Sequence, residues 1–201
     1  MAPISRGFRG RREADADAAR LPPGQYLTSD FPVLSAGPTP HTPLDEWSFT
    51  VGGAVGEGRS WTWDEFTALP TDTVTKDIHC VTKWSKFDTT WTGVSLDTLF
   101  EDAEPWGKFV VAWCDGGYTT NLPLEDVIGG KAWVAHRYAD EPLDPEHGGP
   151  ARLLVPHLYF WKSAKWVRGI TVGEQDEPGF WESYGYHNYG DPWKEQRYWS
   201  D

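Results

Sequence analysis

Apolar and polar positions alternate with a period of two along several short stretches, the pattern of half-buried strands rather than helices. EWSFTV (46–51) and RSWTW (59–63) read as two strands joined by the glycine-rich GGAVGEG. TVTKDIH (73–79) sets Val74, Lys76 and Ile78 against Thr75, Asp77 and His79, a strand that delivers Cys80 at its end. KFVVAWC, KAWVAHRY, ARLLVP and KWVRGITV are further strands, rich in β-branched and aromatic residues. Helical signals are few. Thr62 and Glu65 have capping-box spacing and open a short helix that stops before Pro70. In SLDTLFEDA, Ser95 is the N-cap and Leu96, Leu99 and Phe100 share one face. Without regular strand–helix alternation, the pattern predicts an α+β fold, mostly mixed or antiparallel β with short helices.

Residues 1–45 show neither period: Arg gives way to Ala and Asp, then to LPPG, DFP and AGPTPHTP. They read as an N-terminal arm packed on a domain of residues 46–201, with Leu27, Phe31, Val33 and Leu34 as anchors. The stretch GFWESYGYHNYGDPWKEQRYW (179–199) is dense in aromatics, a composition that aggregates if left free. It is expected to fold back on the domain or to cover a site or interface.

Thirteen Trp argue for a packed core, and a formal net charge of −12 argues against non-specific nucleic-acid binding. No stretch approaches the roughly 18 apolar residues of a membrane span. Arg11-Arg12 resembles a twin-arginine signal, but EADADAARLPPG follows it with no apolar region. Two cysteines make no disulfide framework and suit a reducing compartment, so a cytoplasmic protein is expected.

Cys80 stands out in DIHCVTKWSKFDTTWTG (77–93), ringed by Thr, Lys and Trp rather than aliphatics. A thiolate is a soft metal ligand and a strong nucleophile, and Lys83 and Lys86 are near in sequence. His79 points to the opposite strand face, so any proton-relaying His comes from elsewhere. An inert buried cysteine and a functional one both fit this segment. Residues 147–169 carry Arg152, Lys162, Lys165, Arg168, His147 and His157 and no acidic residue. Lys162, Ser163, Lys165 and the Arg152 fork suit a phosphate, while a solvated basic edge strand explains the same run. In CDGGYTTNLPLED (114–126), Gly116-Gly117 forces a tight turn, after which Tyr118 and its polar neighbours either line a pocket or lead into the next strand.

Four stretches in this order, HCVTKWS with the later WTGV, DGGYTTNLPLE, EPL followed by HGGPARLLVP, and KSAKWVRGI, resemble the sulfite oxidase-like family of molybdopterin-dependent oxidoreductases. The likeness runs from about Trp47 to Val172, and the tail is similar to that of a small single-domain bacterial branch. It implies that Cys80 is the protein's thiolate ligand to molybdenum beside the pterin dithiolene. His147 and Arg152 fall at positions that contact the pterin, and Ser163 and Lys165 at positions that hold its terminal phosphate. The cofactor implied is molybdenum-molybdopterin in its mononucleotide-free form, which carries the redox chemistry. Sulfite-oxidising relatives follow the cysteine with an arginine-rich segment, where this chain has only the lysines of VTKWSK. His136 stands where they carry a tyrosine, and Thr82 where the sulfoxide-reducing branch has an acidic residue.

The expected activity is oxygen-atom transfer on a small molecule, at sulfur or another heteroatom oxide, with a separate electron-transfer partner protein. Lys83, Asp115, Tyr118 and His136 join Cys80 as pocket candidates; surface-charge, turn and core roles suit Lys83, Asp115 and Tyr118 equally well. Two other readings remain at this point: a non-redox binding module with aromatic platforms, and a Cys–His hydrolase using Cys80 with His136 or His157.

Overall fold

The structure, a computed structural model, describes residues 17–201. The Arg11-Arg12 pair and the first part of the arm lie outside the described residues. Two sheets form the frame. The first holds β1 (Tyr26–Leu27), β4 (Asp72–His79), β5 (Trp84–Ser95), β8 (Trp133–Tyr138), β9 (Glu141–Pro142) and β10 (Arg152–Leu154). The second holds β2 (Ser48–Gly53), β3 (Arg59–Thr62), β6 (Phe109–Cys114), β7 (Thr119–Pro123) and β11 (Val167–Gly173), in the order β3-β2-β11-β6-β7. The β1–β5 and β2–β11 pairs are parallel and the other pairs antiparallel. The α+β expectation with mixed sheet is borne out.

Every strand read from alternation is present. The pattern missed β5, the strand that joins β4 to β8, β7, which follows the Gly116-Gly117 turn, and the two-residue strands β1 and β9. In β5 the alternation is broken by Asp88, held at φ 54° and donating its N–H to Asp77, and by a register shift against β8 at Thr92/Gly93. A bulged strand changes which face its residues present, so a strict period of two is lost. Both short helices form as expected. Thr62 and Glu65 satisfy both halves of the capping box ahead of Trp63–Thr67, and Ser95 Oγ accepts from Thr98 N–H at 3.1 Å ahead of Leu96–Phe100.

The main core joins the sheets: Phe49, Val110 and Ile170 of the second belong to the same buried cluster as Val94, Val134 and Leu153 of the first. A smaller cluster of Ile78, Trp84, Trp91, Trp133 and Phe160 surrounds Cys80. The arm is held by backbone bonds, Tyr26 N–H donating to Lys83 at 2.8 Å and Thr28 N–H to Ser85 at 2.9 Å, and by side-chain bonds such as those of Arg20 to Asp77 and of Thr42 to Asp115. Of its four expected anchors only Phe31 packs in, among the rings of Trp84, Trp91, Tyr138 and Phe160; Leu27, Val33 and Leu34 stay nearly half exposed. Among the described residues no helix is long and apolar enough to cross a membrane.

The tail folds back as expected, and a buried ion pair fixes it. Lys162 Nζ lies 2.6 Å from Glu182 Oε1, both side chains about 1% exposed. The same carboxylate oxygen accepts from Thr120 and from the Trp161 indole, each at 2.9 Å, while Lys162 also donates to Asn121 and Asn188. Removing one partner strands the other charge in the interior. Glu182→Ala should therefore lower the unfolding free energy by about 3–5 kcal/mol, and Lys162→Met with Glu182→Leu should recover most of that loss. Urea denaturation of the three proteins checks both.

Candidate active site

Cys80 sits at the first residue of the turn between β4 and β5. Its N–H donates to the Trp84 carbonyl at 2.8 Å, and its own carbonyl accepts from Lys83 N–H at 3.0 Å. The side chain, 7% exposed, borders a cavity of about 630 Å3. Burial pushes the thiol up, and the bond that Thr82 Oγ1 donates to Sγ at 3.1 Å opposes it, as does the more distant charge of Arg197. A cation bound at the sulfur would oppose the desolvation cost in the same way.

The opposite wall is built by Pro145–Gly149, β10 and the turn after Phe160–Lys162. Gly148 has φ +109°, and a Cβ there would lie 3.1 Å from the side chain of Arg152 and from the Cα of Lys165, so a glycine lets this loop close on both residues. Arg152 is 1% exposed. Its Nη1 donates to the His147 carbonyl at 2.7 Å and its Nη2 to the Ser163 carbonyl at 2.6 Å, with the guanidinium 4.0 Å from the centre of the Phe160 ring. It has no carboxylate partner and its Nε has no acceptor among the described residues. Burial pushes it down to about 9.

His147 stacks face to face on Phe31 at 3.9 Å, and its buried Nδ1 lacks a partner among the described residues. Burial, then Arg152, pushes its pKa down, so the ring is neutral at pH 7. Ser163 Oγ accepts from Val155 N–H at 2.8 Å, which aims it from the turn. Lys165 donates to the Glu146 carbonyl at 2.6 Å, and burial with the Arg152 charge pushes it down to about 8. Cys80, His147, Arg152, Ser163 and Lys165 thus share one cavity.

The other candidates divide. Asp115 and Tyr118 line the same cavity, but both are engaged. Asp115 Oδ1 accepts from Arg168 at 3.0 Å and Oδ2 from Thr42 at 2.6 Å. Tyr118 donates to the Trp161 carbonyl at 2.7 Å, and burial, then the Glu182 charge, pushes its pKa well up, so the phenol stays neutral. Lys83 and His136 are not brought to the cavity. Lys83 lies exposed in the Cys80 turn at φ 77°. His136 is on β8 beside Trp63 and Phe66, where burial pushes its pKa down. His157 pairs with Asp126 at 3.1 Å outside the cavity, so neither histidine of the hydrolase reading reaches Cys80.

The basic run is also corrected. Lys162 is bound to Glu182 and Arg168 to Asp115, which leaves Arg152, Lys165 and His147 to face the cavity. Sequence reasoning missed one wall, the arm segment from Phe31 to Pro40, where proline punctuation was the available signal; a second wall is Phe180, Trp181 and Tyr186 of the tail, for which covering a site was one of the expectations.

Residues 36–181 match the model of the oxidoreductase molybdopterin binding domain. The chain is 41% identical over 192 residues to the uncharacterized oxidoreductase YuiH of Bacillus subtilis, covering 94% of this chain and 97% of that one. It is 29% identical over 178 residues to the putative protein-methionine-sulfoxide reductase subunit YedZ1 of Azospira oryzae, covering 86% and 67%. Among solved structures, the sulfane dehydrogenase SoxCD of Paracoccus pantotrophus superposes with a TM-score of 0.62 at 22% identity, over 69% of this chain and 41% of that one. That likeness speaks for the fold alone. With the family model spanning most of the chain and the cavity built from the residues that the motifs carry, the chain belongs to the molybdopterin-binding oxidoreductases and is an enzyme of that family.

Proposed function

We propose that this enzyme transfers an oxygen atom to or from a small substrate, at sulfur or another heteroatom oxide, with Cys80 as the protein's ligand to molybdenum. The observation that carries the reading is the pairing, across one cavity, of the Cys80 thiol with an Arg152 guanidinium that has no carboxylate partner among the described residues. The residues fit the cofactor. Among the described residues the Arg152 Nε and His147 Nδ1 lack partners, and Lys165 is held below its ordinary range by burial beside a second cation. An anion bearing hydrogen-bonding edges relieves all three. The volume of about 630 Å3 lies within the usual range for small-ligand sites.

When bound, molybdopterin supplies two-electron redox chemistry at molybdenum. The chain supplies position and environment. Thr82 orients the Cys80 sulfur, Arg152 and His147 hold the pterin, and Ser163 and Lys165 take the phosphate. Lys165 returns to its ordinary cationic range when an anion binds, so phosphate binding takes up a proton above about pH 8. Phe31, Phe180, Trp181 and Tyr186 limit water access from the arm and tail sides. Asp115, neutralised by Arg168, and Tyr118, held neutral, leave the cavity without a free carboxylate to repel a bound anion. Electrons reach or leave the site through a separate carrier protein.

Two experiments test this reading. Protein made in a host competent for the cofactor should carry molybdenum and pterin near one per chain, by metal mass spectrometry and by fluorescence of the oxidised pterin. Cys80→Ala should lose the molybdenum and keep pterin; wild-type protein without either sinks the proposal. In Arg152→Lys, which keeps charge but loses the bidentate fork, pterin retained after gel filtration should fall by about tenfold or more. Retention equal to wild type would remove Arg152 from the binding role.

A further inference from the structure

Gln25 and Arg197 meet behind the Cys80 turn, one from the arm and the other from the tail, and both lie outside the segment 36–181 that the family model matches. The turn closes on itself through two backbone bonds, Cys80 N–H to the Trp84 carbonyl and Lys83 N–H to the Cys80 carbonyl, and Lys83 adopts φ 77°, a conformation a side chain tolerates poorly. Within the turn Thr82 Oγ1 also donates to Sγ at 3.1 Å, which holds the sulfur but not the backbone that carries it. The remaining restraints come from outside: Gln25 Nε2 donates to the Cys80 carbonyl at 3.0 Å, Arg197 Nη1 to the Val81 carbonyl at 2.8 Å, and Tyr26 N–H to the Lys83 carbonyl at 2.8 Å.

Arg197 is 8% exposed. Its Nη2 donates to the Pro23 carbonyl at 3.3 Å, its guanidinium lies 5.0 Å from the centre of the Tyr159 ring, and Glu195 is the neighbouring carboxylate at 3.8 Å. A bond donated by a charged group is roughly twice as strong as a neutral one, so this cation grips the Val81 carbonyl firmly. Arm and tail are also fitted to one another. Gly24 has φ +70°, and a Cβ there would lie 2.7 Å from Glu195 Oε1 and 3.3 Å from Arg197 Nη2.

We propose that Arg197, supported by Gln25, is a positioning residue for Cys80, fixing the turn that presents the sulfur so that the two ends of the domain set the sulfur's orientation together with Thr82 of the matched centre. The inference rests on the reading of Cys80 as the metal ligand. Its consequence is that the arm and the tail are parts of the active site although neither supplies a reacting atom.

The test uses Arg197→Met, Arg197→Lys and Gln25→Leu in the full chain, with two readouts. The first is hydrogen–deuterium exchange of cofactor-free protein. Amides of residues 80–85 should exchange about tenfold faster in Arg197→Met, with those of β6 and β11 unchanged and Arg197→Lys in between. The second is the electron paramagnetic resonance spectrum of the half-reduced metal in loaded protein, which should shift in Arg197→Met and Gln25→Leu at unchanged molybdenum content, because the direction of the Cys80 sulfur sets the spectrum. Unchanged exchange, exchange raised across the whole domain, or a wild-type spectrum in both variants overturns the proposal. Should Arg197→Met fail to fold, Gln25→Leu carries both readouts. If wild-type protein gives no metal signal, the Cys80 ligand reading fails, while exchange still reports whether the clasp holds the turn.

Discussion

The guanidinium of Arg152 lies closed off from solvent with two carbonyls, an aromatic face and no carboxylate, and the cavity is arranged around that arrangement. Desolvating an ion costs several kcal/mol, and two charge-assisted hydrogen bonds return about 1.5–3 kcal/mol each. What they leave is a cation whose Nε points at nothing among the described residues. The same two bonds tie the His147 loop to the Ser163 turn, so the group that wants an anion also sets the spacing of the other groups that would hold one. Binding and shape are therefore one constraint, and Gly148, where a Cβ would crowd both Arg152 and Lys165, is the backbone's part in it.

The basic run from His147 to Arg168 illustrates how tertiary neighbours assign different work to similar side chains. Lys162 and Lys165 are three residues apart, yet one is bound in the interior to Glu182 and the other borders the cavity. The difference follows from the turn at Phe160–Lys162, which sends Lys162 towards β7 and the tail before the chain reverses through Ser163. Arg168, on β11, reaches Asp115 and the Glu46 and Ser48 backbone instead. A protein of net charge −12 thus keeps a small positive site while Lys162, Arg168 and His157 of the basic run pair with its own carboxylates.

Regular structure forms only part of the site. Strand ends and turns carry Cys80, Arg152 and Ser163, whereas the arm from Phe31 to Pro40 and the aromatic tail supply walls without strand or long helix. Loops placed on a rigid sheet frame commonly carry function in this way. Pro23 and Gly24, earlier in the same arm, pack against Arg197 of the tail, which also bonds the Val81 carbonyl of the Cys80 turn.

Local signals in the sequence determined much of this. The capping residues Thr62 and Ser95, seven strands, and the α+β class rest on interactions between near neighbours or on alternation, and these do not wait for the rest of the chain. The motifs around Cys80, His147, Arg152, Ser163 and Lys165 were legible too, as chemistry and as a family resemblance, and the structure brings those five to one cavity. Tertiary structure alone decided the rest. It withdrew Lys83 and His136 from the cavity and bound Lys162 and Arg168 to carboxylates remote in sequence. It made a strand of 84–95 despite broken alternation, because pairing with β4 and β8 satisfies its backbone. Periodicity reports which face a residue presents, whereas which charge finds which partner depends on the distances that only the folded chain sets.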